Sequence, residues 1–265
     1  MNSQVLDRPT RSGQFRSRRL LASYAEEIRC EALRLLRNPA LAFPVLVMPV
    51  ALYALIALVV SAEATAKDPI VGVFLFSAFS VMAISMPALF GIGTSLAMER
   101  DMGLLRLKRA QPAPAGSWLV AKIACGLAFG AIAYLPILGV ALATGSLPLE
   151  PLRVVAMSAV LMACAIPFCA LGLMIGTLFR GSSAPGYANL VYLPGCYLSG
   201  MFFPLPQSMH WQVPLWPQFH AGQLAMHAAG IEKLQFVPVL VAVAGVLGFT
   251  VLFSAVAIWR LARKG

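Results

Sequence analysis

Six charged side chains, Glu99, Arg100, Asp101, Arg106, Lys108 and Arg109, stand within eleven residues and separate two long apolar runs. Carboxylates and guanidinium groups packed this closely can pair with one another or form charge-assisted hydrogen bonds with another protein. Leu104, Leu105 and Leu107 lie in the same stretch and give it apolar anchorage, so it reads as a short contact element rather than a merely solvated loop.

Other residues capable of chemistry lead less far. A Walker A loop needs lysine after glycine, so that backbone amides cradle phosphates the lysine can reach. Lys67, Lys108, Lys122, Lys233 and Lys264 all follow something else, and nucleotide binding of that kind is not expected. Leu198-Ser199-Gly200-Met201 echoes an ATPase signature loop but lies inside an apolar run, which rules it out on topology. The five cysteines are odd in number and lack C-x-x-C spacing, so they read as packing residues. His220 and His227 are seven apart and would share a helix face, yet no cysteine or carboxylate accompanies them, so hydrogen bonding is favoured over a metal site. The apolar runs hold no carboxylate away from their ends, which disfavours proton coupling. No polar catalytic cluster is visible, so the expectation is no catalytic residue, no metal and no cofactor bound by this chain.

These residues are set in a chain that is 60% hydrophobic and 11% charged, against roughly 25% charged residues in soluble proteins. With a mean hydropathy of +0.81, it reads as an all-α integral membrane protein. A bilayer core about 30 Å thick needs about 20 apolar residues per helix. Six runs meet that need, near 40–61, 70–98, 118–143, 153–179, 184–204 and 234–259. Pro49, Pro87, Pro136, Pro167 and Pro194 fall inside them, as kinks or as hinges.

Charge sorts the connections. With six spans, both termini, the 99–117 loop and the turn at Arg180 share one side, which carries 17 of the 20 Lys and Arg. Only Lys67, Arg153 and Lys233 lie opposite, so both termini are placed in the cytoplasm. Basic residues flanking membrane segments suit anionic headgroups, and nucleic acid is not an expected partner. Ser17-Arg18-Arg19-Leu20-Leu21 superficially resembles a twin-arginine signal, but Glu26, Glu27, Arg29 and Glu31 interrupt what would be its apolar stretch.

Residues 1–19 read as a basic cytoplasmic tail and 20–38 as an amphipathic helix along the interface, with Leu21, Tyr24, Ile28, Ala32, Leu35 and Leu36 at helical spacing. Asn38-Pro39 ends it, and a six-span domain follows over 40–265. Between the fifth and sixth spans, residues 205–233 hold Trp211, Val213, Leu215, Trp216 and Phe219 with no charge until Glu232, as suits an outer interface or a segment folding back into it.

Two segments resemble the membrane-spanning permeases of type-2 ABC exporters. The first is Met98-Glu99-Arg100-Asp101-Met102-Gly103, leading to Gln111-Pro112 and Ala121-Lys122, with Leu104 where that family commonly has threonine. The second runs from Leu171-Gly172-Leu173-Met174-Ile175-Gly176-Thr177 to Phe179-Arg180, then through Asn189-Leu190 and Leu193-Pro194 to Ser199-Gly200-Met201 and Pro204. With Leu36-Arg37-Asn38-Pro39, the likeness covers nearly the whole chain.

The resemblance implies six spans, a re-entrant helical pair before the last one, pairing with a second permease copy as a homodimer, and two copies of a separate soluble ATPase that binds ATP and Mg. It implies a multi-pass protein of the bacterial inner membrane without enzymatic activity of its own. Glu99, Arg100, Asp101, Gly103, Leu104, Leu105 and Arg106 become the candidates for coupling to that ATPase. Asn189, Tyr192 and Tyr197 become candidates for the substrate pathway. The cargo expected is a hydrophobic or amphipathic, drug-like small molecule, with polysaccharide or lipid-linked cargo as the alternative and a lipid-modifying membrane enzyme less favoured.

Overall fold

A computed structural model of the chain describes residues 11–61, 68–110, 114, 116–203 and 205–264, and among them every regular element is a helix. Residues 1–10 of the expected tail, Lys67, Gln111, Pro112 and Pro204 lie outside the described residues.

Helix α1 spans Arg11–Leu36 and so begins well before the expected Leu20. The chain turns at Arg37-Asn38, and Pro39 opens α2, Pro39–Ile56, in the first helical turn where its missing N–H costs nothing. A π-turn, Ala57–Ser61, extends α2. Asp68 then caps α3, Pro69–Met86, by accepting the Ile70 N–H at 3.0 Å.

The second span continues through a π-helical turn, Pro87–Gly91, into α4, Ile92–Asp101. Proline cannot supply the regular helical hydrogen bond, and the ladder re-forms with one residue extra. Helix α5, Leu104–Ala110, follows after Gly103, whose φ of 72° makes the turn between α4 and α5 and suits glycine alone without strain. Helix α6 is Ser117–Ala143 and accommodates Pro136 unbroken.

Two expected spans differ in detail. The run 153–179 forms α7, Pro151–Ala163, and α8, Ala165–Leu178, separated at Cys164. Pro167 explains the break, because its ring collides with the carbonyl four residues earlier, that of Ala163. The run 184–204 forms only α9, Ala184–Leu198, since Gly200 takes a left-handed φ of 70° that stops the helix. At 15 residues α9 reaches about 22 Å, short of the bilayer core. Among the described residues, five helical stretches are long and apolar enough to cross a membrane: Ala42–Val59, Ile70–Asp101, Ser117–Ala143, Pro151–Leu178 and Val239–Arg263.

The outer segment folds as a 3-10 stretch, Gln207–Leu215, and α10, Pro217–Ala229. Helix α10 buries Phe219, His220, Ala221, Gln223 and Ala225 against α7 and the last helix, α11, Val239–Lys264. The sequence left open an outer-interface loop or a segment folding back, and the structure tucks a helix of this segment into the bundle.

The second span is the hub. The rest of the chain covers 89% of its apolar window but only 6% of that of α11, which leaves the flank of α11 to lipid or to another polypeptide. Helices α4 and α8 cross closely through Gly93, Gly172 and Gly176. A Cβ on Gly172 would lie 2.6 Å from the Ala88 carbonyl oxygen, and one on Gly176 would lie 2.8 Å from that of Gly93. Small residues at such a crossing let backbones approach, which is how membrane helices gain packing energy.

Candidate functional site: a buried charge cluster under the second span

Three helices meet at a group of ionisable side chains that no local pattern announces. Ser95 and Glu99 lie four apart on α4 and therefore share one face. That face meets Lys122, on the second turn of α6, and Glu31 of α1. The Lys122 ammonium, fully excluded from solvent, donates to Glu31 Oε1 at 2.7 Å, Glu99 Oε1 at 2.9 Å and Ser95 Oγ at 2.9 Å. Its three protons are thereby all used. Ser95 Oγ lies 3.1 Å from Glu31 Oε1, and Arg34 pairs with Glu99 and, at 3.5 Å, with Glu31.

Two carboxylates, one ammonium and one guanidinium sum to zero charge, which is what allows the group to leave water. Burial pushes the Glu31 carboxyl up, but the charge and hydrogen bond of Lys122, then Arg34 and Ser95, outweigh it and hold Glu31 below its ordinary value. Glu99 Oε2 is buried without a partner. A cavity of about 260 Å³ adjoins the group, lined by Pro87 of the π-turn as well as Met98, Cys125 and Phe129.

A second tie holds α1 to the charged segment, where Lys108 of α5 donates to Glu27 of α1 at 3.2 Å. Helix α1 is therefore pinned at Glu27 and Glu31 by charge as well as by its apolar residues. Leu21 and Leu36, on the apolar face expected along the membrane interface, are exposed within the chain.

Arg100 turns the other way. Its guanidinium donates to the carbonyls of Gly176, Thr177 and Phe179, at 3.2 Å to Gly176 and 2.7 Å to Phe179. These carbonyls close the C-terminal end of α8, where backbone acceptors lack helical partners and a cation is favoured. Asp101 Oδ2 accepts the Gly181 N–H at 2.7 Å, so the adjacent pair clasps the turn that follows α8. The two segments that carry the family resemblance thus touch one another.

The seven coupling candidates divide accordingly. Glu99 and Leu105 are buried, Arg100 is fastened to α8, Gly103 makes the turn and Leu104 is half-buried. Asp101 and Arg106 remain exposed, together with Met102 and Leu107. Of the pathway candidates, Tyr192 is 2% exposed, with its hydroxyl 2.7 Å from Ser85 Oγ, whereas Asn189 and Tyr197 are exposed on α9. The three are not brought together around one space within the chain.

Each outer histidine faces a backbone carbonyl, which only accepts, so Nε2 is the donor in each: His210 to Leu205 at 2.9 Å, His220 to Pro214 at 2.8 Å and His227 to Val237 at 2.8 Å. Glu31, Arg34, Ser95 and Lys122 were not read as a site in the sequence. The available signal was the pair of ionisable residues, Glu99 and Lys122, sitting at the ends of apolar runs.

A helical bundle with several membrane-length apolar helices and a charged, partly exposed segment between two of them marks a multi-pass membrane protein. Residues 28–228 match the ABC-2 type transporter family, and the chain belongs to it. Members of this family dimerise and work with an ATPase subunit. The protein is also similar to "Putative transport permease YvfS" of Bacillus subtilis (strain 168), 27% identical over 198 residues that cover 72% of this chain and 79% of that relative.

Proposed function

We propose that this chain is the membrane subunit of an ABC exporter of the bacterial inner membrane. Two copies form the pathway, and two soluble ATPase subunits dock against α1 and the α4–α5 corner. Both termini face the cytoplasm, which the 17 of 20 basic residues on that side support. Helix α1 then lies along the inner interface, α9 completes a sixth span with the chain beyond Leu198, and the 205–233 segment re-enters the outer leaflet.

The observation that carries this reading is the position of the charge cluster. It joins α1 to α4 and α6, Lys108 ties α1 to the helix that carries the exposed Arg106 and Leu107, and Arg100 joins the α4–α5 corner to α8. A push on the exposed face would reach three membrane segments through rigid, hydrogen-bonded contacts. Coupling by Glu99, Arg100 and Leu105 is then internal transmission, and Asp101, Leu104 and Arg106 lie nearest the ATPase. ATP and Mg belong to that partner. The cargo is a hydrophobic or amphipathic small molecule, consistent with the apolar exposed face of α9 around Asn189, Leu190, Leu193 and Tyr197.

Co-expression with the partner ATPase subunit tests the assembly. The double variant Arg106→Glu, Leu107→Asp should still insert and keep its melting temperature, yet lose co-purification of the ATPase and transport from reconstituted vesicles. Undiminished co-purification would remove this face from the docking site.

A further inference from the structure

The last helix ends in side chains that the bundle does not absorb. Trp259 and Arg263 stand four apart on α11 and share a face. The Arg263 guanidinium lies over the Trp259 ring, 4.6 Å from its centroid, and that of Arg260 lies 5.7 Å from it. The indole is 49% exposed and Arg263 is exposed with it. A guanidinium stacked on a ring is held by its face, which leaves the N–H groups along its edge to donate to an anion.

No carboxylate answers these two charges. The chain has no aspartate or glutamate after Glu232, and among the described residues neither arginine is in an ion pair. The acids of the inner corner are already matched, Glu27 by Lys108, Glu31 and Glu99 by Lys122 and Arg34, and Asp101 by Arg100. The C-terminal dipole of α11, worth about half an elementary charge, offsets only a fraction of the pair. Above the arginines the helix is bare. Leu252 and Ala255, seven and four residues before Trp259, lie on its face and are exposed, as is Val251 beside them.

From this we infer that the end of α11 is a binding site for an anionic phospholipid, its phosphate held by Arg260 and Arg263 and its acyl chains laid along Val251, Leu252 and Ala255. Fixed cations at one end of an apolar strip match a molecule with one charged head and long tails. A second copy of the chain suits this end poorly, since a two-fold contact here would bring the arginines of both copies together. Trp259 places the head, because its ring sits where hydrocarbon meets water. The inner leaflet follows from the cytoplasmic end of α11 proposed above, whereas binding itself depends on neither orientation nor the ATPase.

Native mass spectrometry of the full-length permease tests this, with the protein released from micelles that carry equal amounts of phosphatidylglycerol and phosphatidylcholine with the same acyl chains. The wild type should retain phosphatidylglycerol about ten-fold over phosphatidylcholine, the worth of one charge-assisted hydrogen bond. Phosphatidylglycerol should also raise its melting temperature, whereas sn-glycerol 3-phosphate, a phosphate without chains, should not. Arg260→Gln with Arg263→Gln should abolish the preference and leave the lipid-free melting temperature unchanged. Arg37→Gln with Arg180→Gln, which removes the same charge from two other exposed positions, should keep it. Equal retention of the two lipids by the wild type, a preference that survives the α11 double variant, or one lost equally in the Arg37 and Arg180 variant would overturn the assignment. So would a shift with sn-glycerol 3-phosphate alone, or loss of the dimer mass in the α11 double variant, which would seat a second copy on this end. Neither ATPase nor transport enters the readout, so its failure would leave the exporter reading standing, and failure of that reading would leave the lipid result standing.

Discussion

Lys122 Nζ lies 2.9 Å from Glu99 Oε1 in a place neither side chain would occupy alone, with Lys122 fully buried and Glu99 1% exposed. Each charge is tolerated because the other is present, and α4, α6 and α1 are aligned by that mutual need. Replacing one partner should cost far more than the pair is worth.

Lys122→Met should destabilise the protein by about 3–5 kcal/mol, because Glu31 and Glu99 then stay buried with too few cations. Glu99→Gln combined with Lys122→Met should cost less than the sum of the single changes. The melting temperature of the monodisperse fraction, measured for all four members of the cycle, checks this. Strict additivity would mean that the two groups do not interact.

Arg100→Ala removes a cation from three backbone carbonyls at the end of α8, and charge-assisted hydrogen bonds contribute about 1.5–3 kcal/mol each. Arg100→Lys should recover only part of the loss, since an ammonium cannot spread across acceptors that the planar guanidinium spans. Limited proteolysis of the 179–183 turn is the readout. Cleavage rates should rank Arg100→Ala above Arg100→Lys above wild type.

Gly172→Val should prevent a well-packed fold, because even its Cβ would meet the Ala88 carbonyl oxygen at 2.6 Å and backbone cannot yield. Gly139→Ala is the control, since a Cβ at Gly139 meets nothing within 4 Å and alanine is the better helix former. Expression of detergent-stable protein should fall sharply in the first and hold or rise in the second.

Glu31 gives a pH signature. A carboxyl held below its ordinary value of 4.5 in the folded state adds stability above that value and loses it as pH falls through the lowered folded value. Stability measured from pH 6 downward should therefore decline below about pH 4.5, and Glu31→Gln should flatten that limb. An unchanged slope in the variant would place the acid sensitivity elsewhere.

Much of this architecture was legible before any coordinates. The membrane character, the helix break at Asn38-Pro39, the position of the first three apolar runs and the charged corner at residues 99–109 all follow from local composition and from proline. The limits of the fourth and fifth runs were less legible. Hydropathy does not register Pro167 splitting one helix, or Gly200 turning left-handed to end another.

The site itself was hidden for a different reason. Lys122 and Glu31 are 91 residues apart, and Arg100 reaches carbonyls 76 to 79 residues away. Insertion of an apolar helix depends on its own residues, so a one-dimensional reading captures it. The state of a charge at a helix end depends on which other helix crosses there. Glu99 looked like a solvent-facing handle until the fold laid α1 and α6 over it, and nothing local to Tyr192 announces that its hydroxyl meets Ser85 of α3.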